Sequence, residues 1–394
     1  MSHHRAIAAV FIAHGAVAGS LSTRIPWIQD HLGLDPRTLG LALLCQPIGA
    51  FIGMPMASRL AYRIGARTAT RVLIALWCAA LALPALSPAP IWLFAAFFLL
   101  GGAAGMSDVT MNAQAVVLER RMRRPIMSGL HGMWAIGSLG AAGLGALAAQ
   151  AGIDARLHLG AMSAALLLVG ARTGRGLLAD DGAPGDAPAP RRFALPTRGI
   201  ALIGVVGFCA TFAEGASANW SAVYITAVTD AGPGVGAAGY TVFMFFMAGT
   251  RLLGDRVIRL LGPVMAVRAS GAVAAVGGLI VVLSRTPALA ITGFALVGVG
   301  VAVIVPLAIA AAGNAGATPG EGVAGMATMT YLSGLVAPAV TGWVAGGLSY
   351  PAAFGVITGV VLLLTLLAPV VRPSARTSPS VRERQGSLVS TQDR

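Results

Sequence analysis

The sequence has few charged side chains and no lysine. Charged residues make up 10% of its 394 residues, whereas a soluble domain carries about 25%. So little charge cannot cover a water-facing surface, and 56% of the residues are hydrophobic. The composition therefore excludes a soluble globular protein and predicts an integral membrane protein. The absence of lysine also excludes the Gly-rich Lys-Ser/Thr loop that binds ATP phosphates.

Cysteine is scarce as well. Cys45, Cys78 and Cys209 are scattered through apolar segments, without the spacing of a metal site or a disulfide framework. The sequence also has no nucleophile elbow and no His/Cys cluster. It therefore predicts no cofactor and no metal, and it favours a protein that is not an enzyme.

Long apolar runs predict twelve transmembrane helices. An α-helix needs about 20 apolar residues to cross a bilayer, whereas the strands of a membrane barrel alternate over about 10 residues. The 52 glycines suit helices that pack closely in lipid. We therefore expect an all-α membrane protein. The predicted segments are 5–27, 38–60, 70–90, 91–118, 126–150, 153–171, 199–226, 236–257, 264–284, 287–312, 321–347 and 350–371.

The distribution of arginine predicts the orientation. With the N-terminus inside, the cytoplasmic loops and the termini receive all but four of the 27 basic residues, Arg251 among them. The four on the outside are Arg24, Arg37, Arg156 and Arg285. Arg24 is expected to extend from a helix end to the interface. Because basic residues accumulate in cytoplasmic loops, both termini are predicted to be cytoplasmic.

One connection divides the spans six and six. Residues 172–198, RTGRGLLADDGAPGDAPAPRRFALPTR, are rich in Gly, Pro and charge, which is typical of a flexible linker. We expect six-helix bundles over residues 1–171 and 199–371. Residues 372–394 are expected to form a polar, disordered cytoplasmic tail.

The two halves are related by a weak internal repeat. At an offset of 197 residues, RLAYRIGA from Arg59 overlays RVIRLLGP from Arg256. At the same offset, GSLSTRIPWI from Gly19 overlays ASANWSAVYI from Ala216. Parallel repeats of this kind are typical of secondary transporters that work by alternating access.

At these residues the chain resembles the major facilitator superfamily, over about residues 5–371. That family's basic loop after helix two, Gly-x-x-x-Asp-Arg-x-Gly-Arg, resembles SRLAYRIGAR, in which Ser58 replaces the Gly and Tyr62 the Asp. The second copy, GTRLLGDRVIRLLGP, keeps the acid and its Arg. In this family the loop holds the two halves together in one state. The resemblance therefore implies a gating role for Arg59, Arg63, Asp255 and Arg256.

Further stretches resemble the fucose-permease-like branch of that superfamily. They are SDVTMNAQA, RPIMSGLHGMWAIGSLGA, EGASANWSAVYI, AVIVPLAIAAAGN and TYLSGLVAPAVTGWVAG. Asn219 stands where relatives tend to carry Asp, and Ser22, before Pro26, stands where the branch has a first-helix acid. The resemblance implies the twelve-helix fold and transport, and it leaves the substrate open.

Asp108 and Asn112 form the first candidate site, on the fourth segment. At 100° per residue they lie about 40° apart on one helix face, beside Gly101 and Gly105. A charged carboxylate at the centre of a membrane helix costs roughly 2.5–3.5 kcal/mol on insertion scales, so an acid there is functional by default. We expect both side chains to line a central path. The alternative is that Asp108 pins a neighbouring helix.

Glu214 is the second candidate, near the middle of the seventh segment. A carboxyl group in a low-dielectric environment can hold a proton near neutral pH, which suits proton or substrate binding. The alternative is a neutral Glu hydrogen-bonded between helices. Asn219 lies further along the same segment and completes this part of the candidate site.

His14, His131 and Trp134 are the remaining candidates. His14 lies within the first segment, His131 opens the fifth, and Trp134 follows one turn later. A buried histidine can titrate, or it can simply donate to a backbone carbonyl, and both interpretations stay open. Trp220 and Tyr224 are expected to be interface anchors rather than ligand platforms.

These observations predict a secondary active transporter in a bacterial inner membrane. It would move a small polar or amphipathic solute by alternating access, with protons carried by Asp108 and Glu214. The expected partners are the solute, protons and the lipid bilayer, with no nucleic acid, and the chain is expected to be a monomer. Efflux of a drug or metabolite fits the same fold. A non-transporting sensor is a second alternative, although the linker and tail are short for a signalling domain.

Overall fold

The computed structural model describes residues 2–34, 36–179, 197–231, 233–316 and 318–372, and these residues form helices and connections. The α-helices are α1 His3–Ser22, α2 Ile25–His31, α3 Pro36–Ile64, α4 Ala66–Ala80, α5 Leu83–Leu86, α6 Pro90–Met122, α7 Met127–Gln150, α8 Ala155–Thr173, α9 Arg198–Thr229, α10 Pro233–Leu261, α11 Pro263–Leu283, α12 Pro287–Val301, α13 Ile304–Ala315, α14 Pro319–Gly347 and α15 Tyr350–Leu366. Two short 3-10 helices, η1 Gly174–Gly176 and η2 Ala368–Val371, follow α8 and α15.

Ten helical stretches within the described ranges are long and apolar enough to cross a membrane. The 29-residue α10 and the 17-residue α15 complete a set of twelve. Three of the twelve are interrupted, because α1 continues into α2, α4 into α5 and α12 into α13. The predicted all-α fold of twelve membrane helices is confirmed.

The turns after the second helix of each half have the same backbone conformation. Gly65, between α3 and α4, has φ 81° and ψ 146°. Gly262, between α10 and α11, has φ 72° and ψ 163°. Only glycine adopts such values without strain. The two glycines are 197 residues apart, which is the offset of the internal repeat.

Glycine also lets α1 approach α7 closely. A Cβ atom on Gly15 would lie 2.0 Å from the carbonyl oxygen of Trp134, and one on Gly19 would lie 2.0 Å from that of Ser138. No side chain fits at that distance, so the two backbones are in direct contact. This contact brings His14 next to the side chain of Trp134.

The two halves meet at one end of the bundle. We call this the arginine-rich end; it carries His3, Arg372 and the α3–α4, α6–α7 and α10–α11 connections. Residues from the end of α13 and the start of α14, including Ala312 and Val323, are buried in the hydrophobic core of the first half. The core of the second half is formed separately around buried aromatic residues such as Tyr224 and Phe294.

The start of the predicted linker packs onto the first half. Leu177 and Leu178 are buried, and Gln114 Nε2 donates to the carbonyl of Leu178 at 3.3 Å. Residues 180–196 of the linker and 373–394 of the tail lie outside the described residues. The domain boundaries therefore stay predictions.

Two expectations about side chains near helix ends are wrong. Arg24 does not extend to the interface; it is 2% exposed, and its Nε donates to His158 Nδ1 at 3.1 Å. Tyr224 is not an interface anchor. It is fully buried against Phe294 and Phe354, and its hydroxyl donates to a backbone carbonyl on α11 at 2.5 Å.

Candidate functional site

Asp108, Asn112 and His131 form a hydrogen-bonded chain in the first half. Asn112 Nδ2 donates to Asp108 Oδ1 at 3.1 Å and to the Asp108 backbone carbonyl at 2.9 Å. His131 Nε2 lies 3.2 Å from Asn112 Oδ1. Because that amide oxygen can only accept, His131 donates through Nε2. The chain joins α6 to α7, and Asn112 within it is completely buried.

His14 lies beside this chain and is held in one tautomer. Trp134 Nε1 donates to His14 Nδ1 at 3.0 Å, and an indole nitrogen can only donate. His14 therefore accepts at Nδ1, and its proton sits on Nε2, 3.4 Å from the carbonyl of Ala104. A second proton on Nδ1 would break the bond from Trp134. This geometry favours a structural role for His14 over a titrating one.

Glu214 in the second half has a partner that the sequence interpretation missed. Its Oε2 is 2.7 Å from Arg251 Nη2, and the two side chains are 22% and 7% exposed. Arg251, which the arginine distribution assigns to the cytoplasmic side, is a buried residue of α10 and forms an ion pair with Glu214 of α9. A lone Arg inside an apolar helix was the available signal, because such a charge needs a buried partner.

Arg251 also contacts the interruption between α12 and α13. Its Nε donates to the carbonyl of Ala302 at 3.2 Å. The last carbonyls of an α-helix have no partner within that helix. The guanidinium of Arg251 therefore binds the carbonyl at the end of α12 and the carboxylate of Glu214 in α9 at the same time.

The polar groups of the two halves lie within electrostatic range of one another. His131 interacts with Arg251, and Asp108 interacts with Tyr331 of α14. Tyr331 itself packs against the core of the first half. Sequence reasoning missed Tyr331 too, since a single tyrosine in an apolar segment has no distinguishing pattern. The site is therefore built from both halves.

The N-terminus of α7 is bound by an acid from the other half. Asp255 Oδ1 accepts from the backbone N–H of Ser128, and Oδ2 accepts from that of Gly129, both at 2.9 Å. The Ser128 hydroxyl donates to the Arg251 carbonyl at 2.8 Å. The first N–H groups of a helix lack internal partners and attract negative charge. Asp255 thus joins α10 to α7 across the two halves.

Two further contacts support this end of the bundle. Glu119 Oε2 accepts from the N–H groups of Ile126 and Met127 at 2.8 and 3.1 Å. Arg120 Nη2 donates to the carbonyl of Gly313 at 2.6 Å, and its Nε donates to the side chain of Asn314. The Glu119 bonds lie within the first half, whereas the bonds of Arg120 and Asp255 join the two halves at the arginine-rich end.

The remaining predicted residues lie outside both the hydrogen-bonded chain of Asp108 and the ion pair of Glu214. Asn219 is exposed, and its Nδ2 donates to the carbonyl of Gly215 in its own helix at 2.8 Å. Arg63 and Arg256 are exposed at the arginine-rich end. Arg59 is half-buried, and its Nε has no hydrogen-bond partner among the described residues.

The described ranges contain no group of three or more His, Cys, Asp or Glu side chains arranged to hold a metal ion.

The twelve-helix bundle, with polar groups from both halves at its centre, defines a multi-pass membrane transport protein. Residues 7–317 match the family model of the Major Facilitator Superfamily. The chain belongs to this superfamily.

Curated relatives cover most of the chain. An uncharacterised MFS-type transporter of Yersinia pestis is 33% identical over 362 residues, which is 91% of this chain and 92% of the relative. An uncharacterised transporter of Sinorhizobium fredii is 31% identical over 93% of this chain and 98% of its own length. The membrane protein MosC of Rhizobium meliloti is 30% identical over 91% of this chain and 88% of its own length.

Solved structures share the fold at low sequence identity. FucP in its outward conformation superposes with a TM-score of 0.77, at 15% identity, over 93% of this chain and 98% of FucP. FucP is the fucose:proton symporter of E. coli. The proton:xylose symporter XylE superposes with a TM-score of 0.71, at 13% identity, over 92% and 94% of the two chains.

Proposed function

We propose that this protein is a proton-coupled secondary transporter that moves a small polar or amphipathic solute across a bacterial inner membrane by alternating access. The observation that carries the proposal is the arrangement at the centre. The first half carries an acid that is bound by a neutral amide, and the second half carries an ion pair of low exposure. Both termini and the arginine-rich end are proposed to be cytoplasmic, in line with the arginine distribution.

Asp108 is the proposed proton carrier. Its side chain accepts from the amide of Asn112, a neutral hydrogen-bond partner. A buried acid without a cation can gain and lose a proton as water reaches it from one side or the other.

Glu214 is assigned a different role from Asp108. Arg251 binds its carboxylate directly at 2.7 Å. Glu214 is therefore proposed to hold Arg251 in place and to contribute to solute binding, rather than to carry the proton. The sequence assigned proton transfer to both acids, whereas this proposal assigns it to Asp108 alone.

The contacts at the arginine-rich end suit a state that is closed to the cytoplasm. The bonds of Asp255 and Arg120 join the halves there, so the solute would enter from the opposite side. The named symporters FucP and XylE support proton coupling as a drive for this fold. They do not identify the solute, which a thermal-shift screen of the purified protein against sugars, polyols, amino acids and drugs is designed to find.

The substitution Asp108→Asn tests the proposal. With a solute from that screen, proteoliposomes containing the parent protein should take up protons together with solute. The variant keeps the shape and the hydrogen bond but cannot titrate. It should lose pH-driven accumulation while it retains solute binding. Its melting temperature should not fall, because a neutral amide is no harder to bury than a carboxylate.

The exposed acid Asp30 provides the matched control. Asp30→Asn should leave pH-driven accumulation and the melting temperature unchanged. Undiminished proton flux in Asp108→Asn would remove this residue from the mechanism. A reporter that is active only in the cytoplasm, fused after Arg394, tests the orientation, and a silent fusion would contradict it.

A further inference from the structure

A cavity of about 700 Å³ lies between the two halves at the arginine-rich end. One wall is formed by the α6–α7 connection of the first half. The other is formed by the start of α9, the end of α13 and the residues around η2 of the second half. The cavity lies next to Asp255 and Arg120, whose bonds join the halves. It is separate from the central polar site of Asp108 and Glu214.

Three arginines of the lining have side chains that are available to bind an anion. Arg123, Arg124 and Arg372 line it and are exposed. Among the described residues, no hydrogen bond or ion pair engages their side chains. The lining also holds a fourth arginine, Arg120, and two acids, so four formal positive charges stand against two negative ones. Glu119 and Asp255 already accept from the backbone N–H groups that begin α7.

The remainder of the lining is apolar. Leu202 and Ile203 of α9, Leu307 of α13 and Val371 of η2 contribute to it. Ile203, Leu307 and Val371 are buried, whereas Leu202 is exposed. An apolar recess edged by arginine, at the expected depth of the lipid head groups, is chemically complementary to a molecule with a hydrocarbon part and an anionic head.

We propose that this cavity binds an amphipathic anion, with its hydrocarbon chain against Leu202, Ile203 and Leu307 and its head group on Arg123, Arg124 and Arg372. Because both halves form the walls, separating the halves would dismantle the site. A ligand that binds one state more tightly shifts the population towards that state. The occupant therefore stabilises the form in which the arginine-rich end is closed. This inference does not depend on proton coupling or on the identity of the solute.

Two sources can supply such an anion. One is the membrane itself, through a fatty acid or an anionic phospholipid. The other is a soluble amphipathic carboxylate from the cytoplasm. Both share the chemistry of a chain and a negative head, and the experiment below separates them.

The test uses dodecanoate as the probe and the melting temperature of the purified full-length protein as the readout. Dodecanoate should raise the melting temperature saturably, because a ligand that binds only the folded state stabilises it. Dodecanol, which has the chain without the charge, and acetate, which has the charge without the chain, should each have little effect. An equal response to dodecanol would overturn the assignment of the arginines.

Two variants locate the site. The double substitution Arg123→Gln and Arg124→Gln should weaken dodecanoate binding about tenfold or more, which corresponds to about 1.4 kcal/mol. The matched control changes Arg172 and Arg175 to Gln; these arginines are exposed at the same end and do not line the cavity. The control should bind dodecanoate as the parent does. An equal loss of dodecanoate binding in both double variants would show that general surface charge causes the effect, and it would overturn the proposal.

Gly199→Phe tests the apolar part of the site. Gly199 lines the cavity, and a Cβ atom there would meet nothing within 4 Å. The phenyl ring should fill the recess without disturbing the fold and abolish the dodecanoate effect. Unchanged binding in this variant would place dodecanoate elsewhere.

Nanodiscs distinguish the two sources. In phosphatidylcholine alone, dodecanoate should still stabilise the protein. If added phosphatidylglycerol removes that response, a membrane lipid occupies the cavity. If the response persists, the occupant is a soluble amphiphile.

Discussion

The helices α7 and α14 both begin at the arginine-rich end, one in each half, but their N-termini are bound differently. The first turn of α7 is bound by Asp255 from the opposite half. The first turn of α14 is bound by its own Thr318, whose hydroxyl accepts from Glu321 N at 3.2 Å. Ser58 is the equivalent of Asp255 at the 197-residue offset. It faces Gly320 of α14, and its hydroxyl has no partner among the described residues.

Of these two pseudo-symmetric contacts, only the one between α10 and α7 is held by hydrogen bonds from the residue at this position. Separating α10 from α7 removes two charge-assisted hydrogen bonds, which are roughly twice as strong as neutral ones. Separating α3 from α14 removes no hydrogen bond of Ser58. The position that is equivalent to Asp255 at the repeat offset thus makes the weaker of the two contacts.

The centre of the membrane shows a second contrast between the halves. In the first half, an acid accepts from a neutral amide, and that amide in turn accepts from an imidazole. In the second half, an acid is bound by a guanidinium. Replacing a single member of an ion pair leaves a buried charge without compensation, whereas a chain of neutral donors tolerates the loss of a charge. The two halves should therefore respond differently to substitutions that neutralise a residue.

The largest expected effect follows from Arg251→Gln. This substitution removes the cation that binds the partly buried side chain of Glu214. The free energy of unfolding should fall by about 3 kcal/mol or more, measured by thermal or denaturant unfolding of the purified protein.

The double substitution Glu214→Gln with Arg251→Gln serves as the control for that loss. It removes both charges, so it should recover a substantial part of the stability lost in the single variant. A double variant that is less stable than Arg251→Gln would contradict the unpaired-charge explanation. The loss would then have to come from the bond to Ala302.

An intermediate effect is expected for Asp255→Asn. The amide keeps one acceptor oxygen, but it places an NH₂ group against the second N–H at the start of α7. The closed end should lose about 1–3 kcal/mol of stabilisation. Distance measurements between labels on the α6–α7 and α10–α11 connections should show a larger open population. Transport should slow while solute binding at the central site is retained, and equal loss of both would point to misfolding.

The smallest effect is expected for Ser58→Ala. Its hydroxyl has no partner among the described residues, so its removal should change the free energy of unfolding by no more than about 0.5 kcal/mol. The label distances should match those of the parent. A change as large as that of Asp255→Asn would show that the two contacts are equivalent and would remove the asymmetry.

The fold could be predicted from the sequence because lipid imposes simple rules. Apolar length sets the number of helices. The repeat at 197 residues is visible in a few letters, and the paired turns at Gly65 and Gly262 occur at that spacing. The shared face of Asp108 and Asn112 follows from helical geometry within one segment, and their hydrogen bond agrees with it.

Contacts between helices were harder to predict. Assigning Arg251 to a cytoplasmic loop follows from a count of charges along the chain, and that count carries no information on which face a residue occupies. Its pairing with Glu214 depends on how α9 and α10 pack. The bond from Asp255 to α7 likewise joins residues 126 and 127 positions apart. The motif suggested a gate at Asp255 but did not indicate its partner.

The interruption between α12 and α13 has a consequence for the mechanical stiffness of the bundle. A continuous helix resists bending because each turn is bonded to the next. At Ala302 and Val303 that series is broken, so a change of angle between the two pieces strains fewer backbone bonds. Arg251 binds the carbonyl at this point and the carboxylate of Glu214 as well. The direction in which the tenth membrane span can flex is therefore set by a side chain of the eighth.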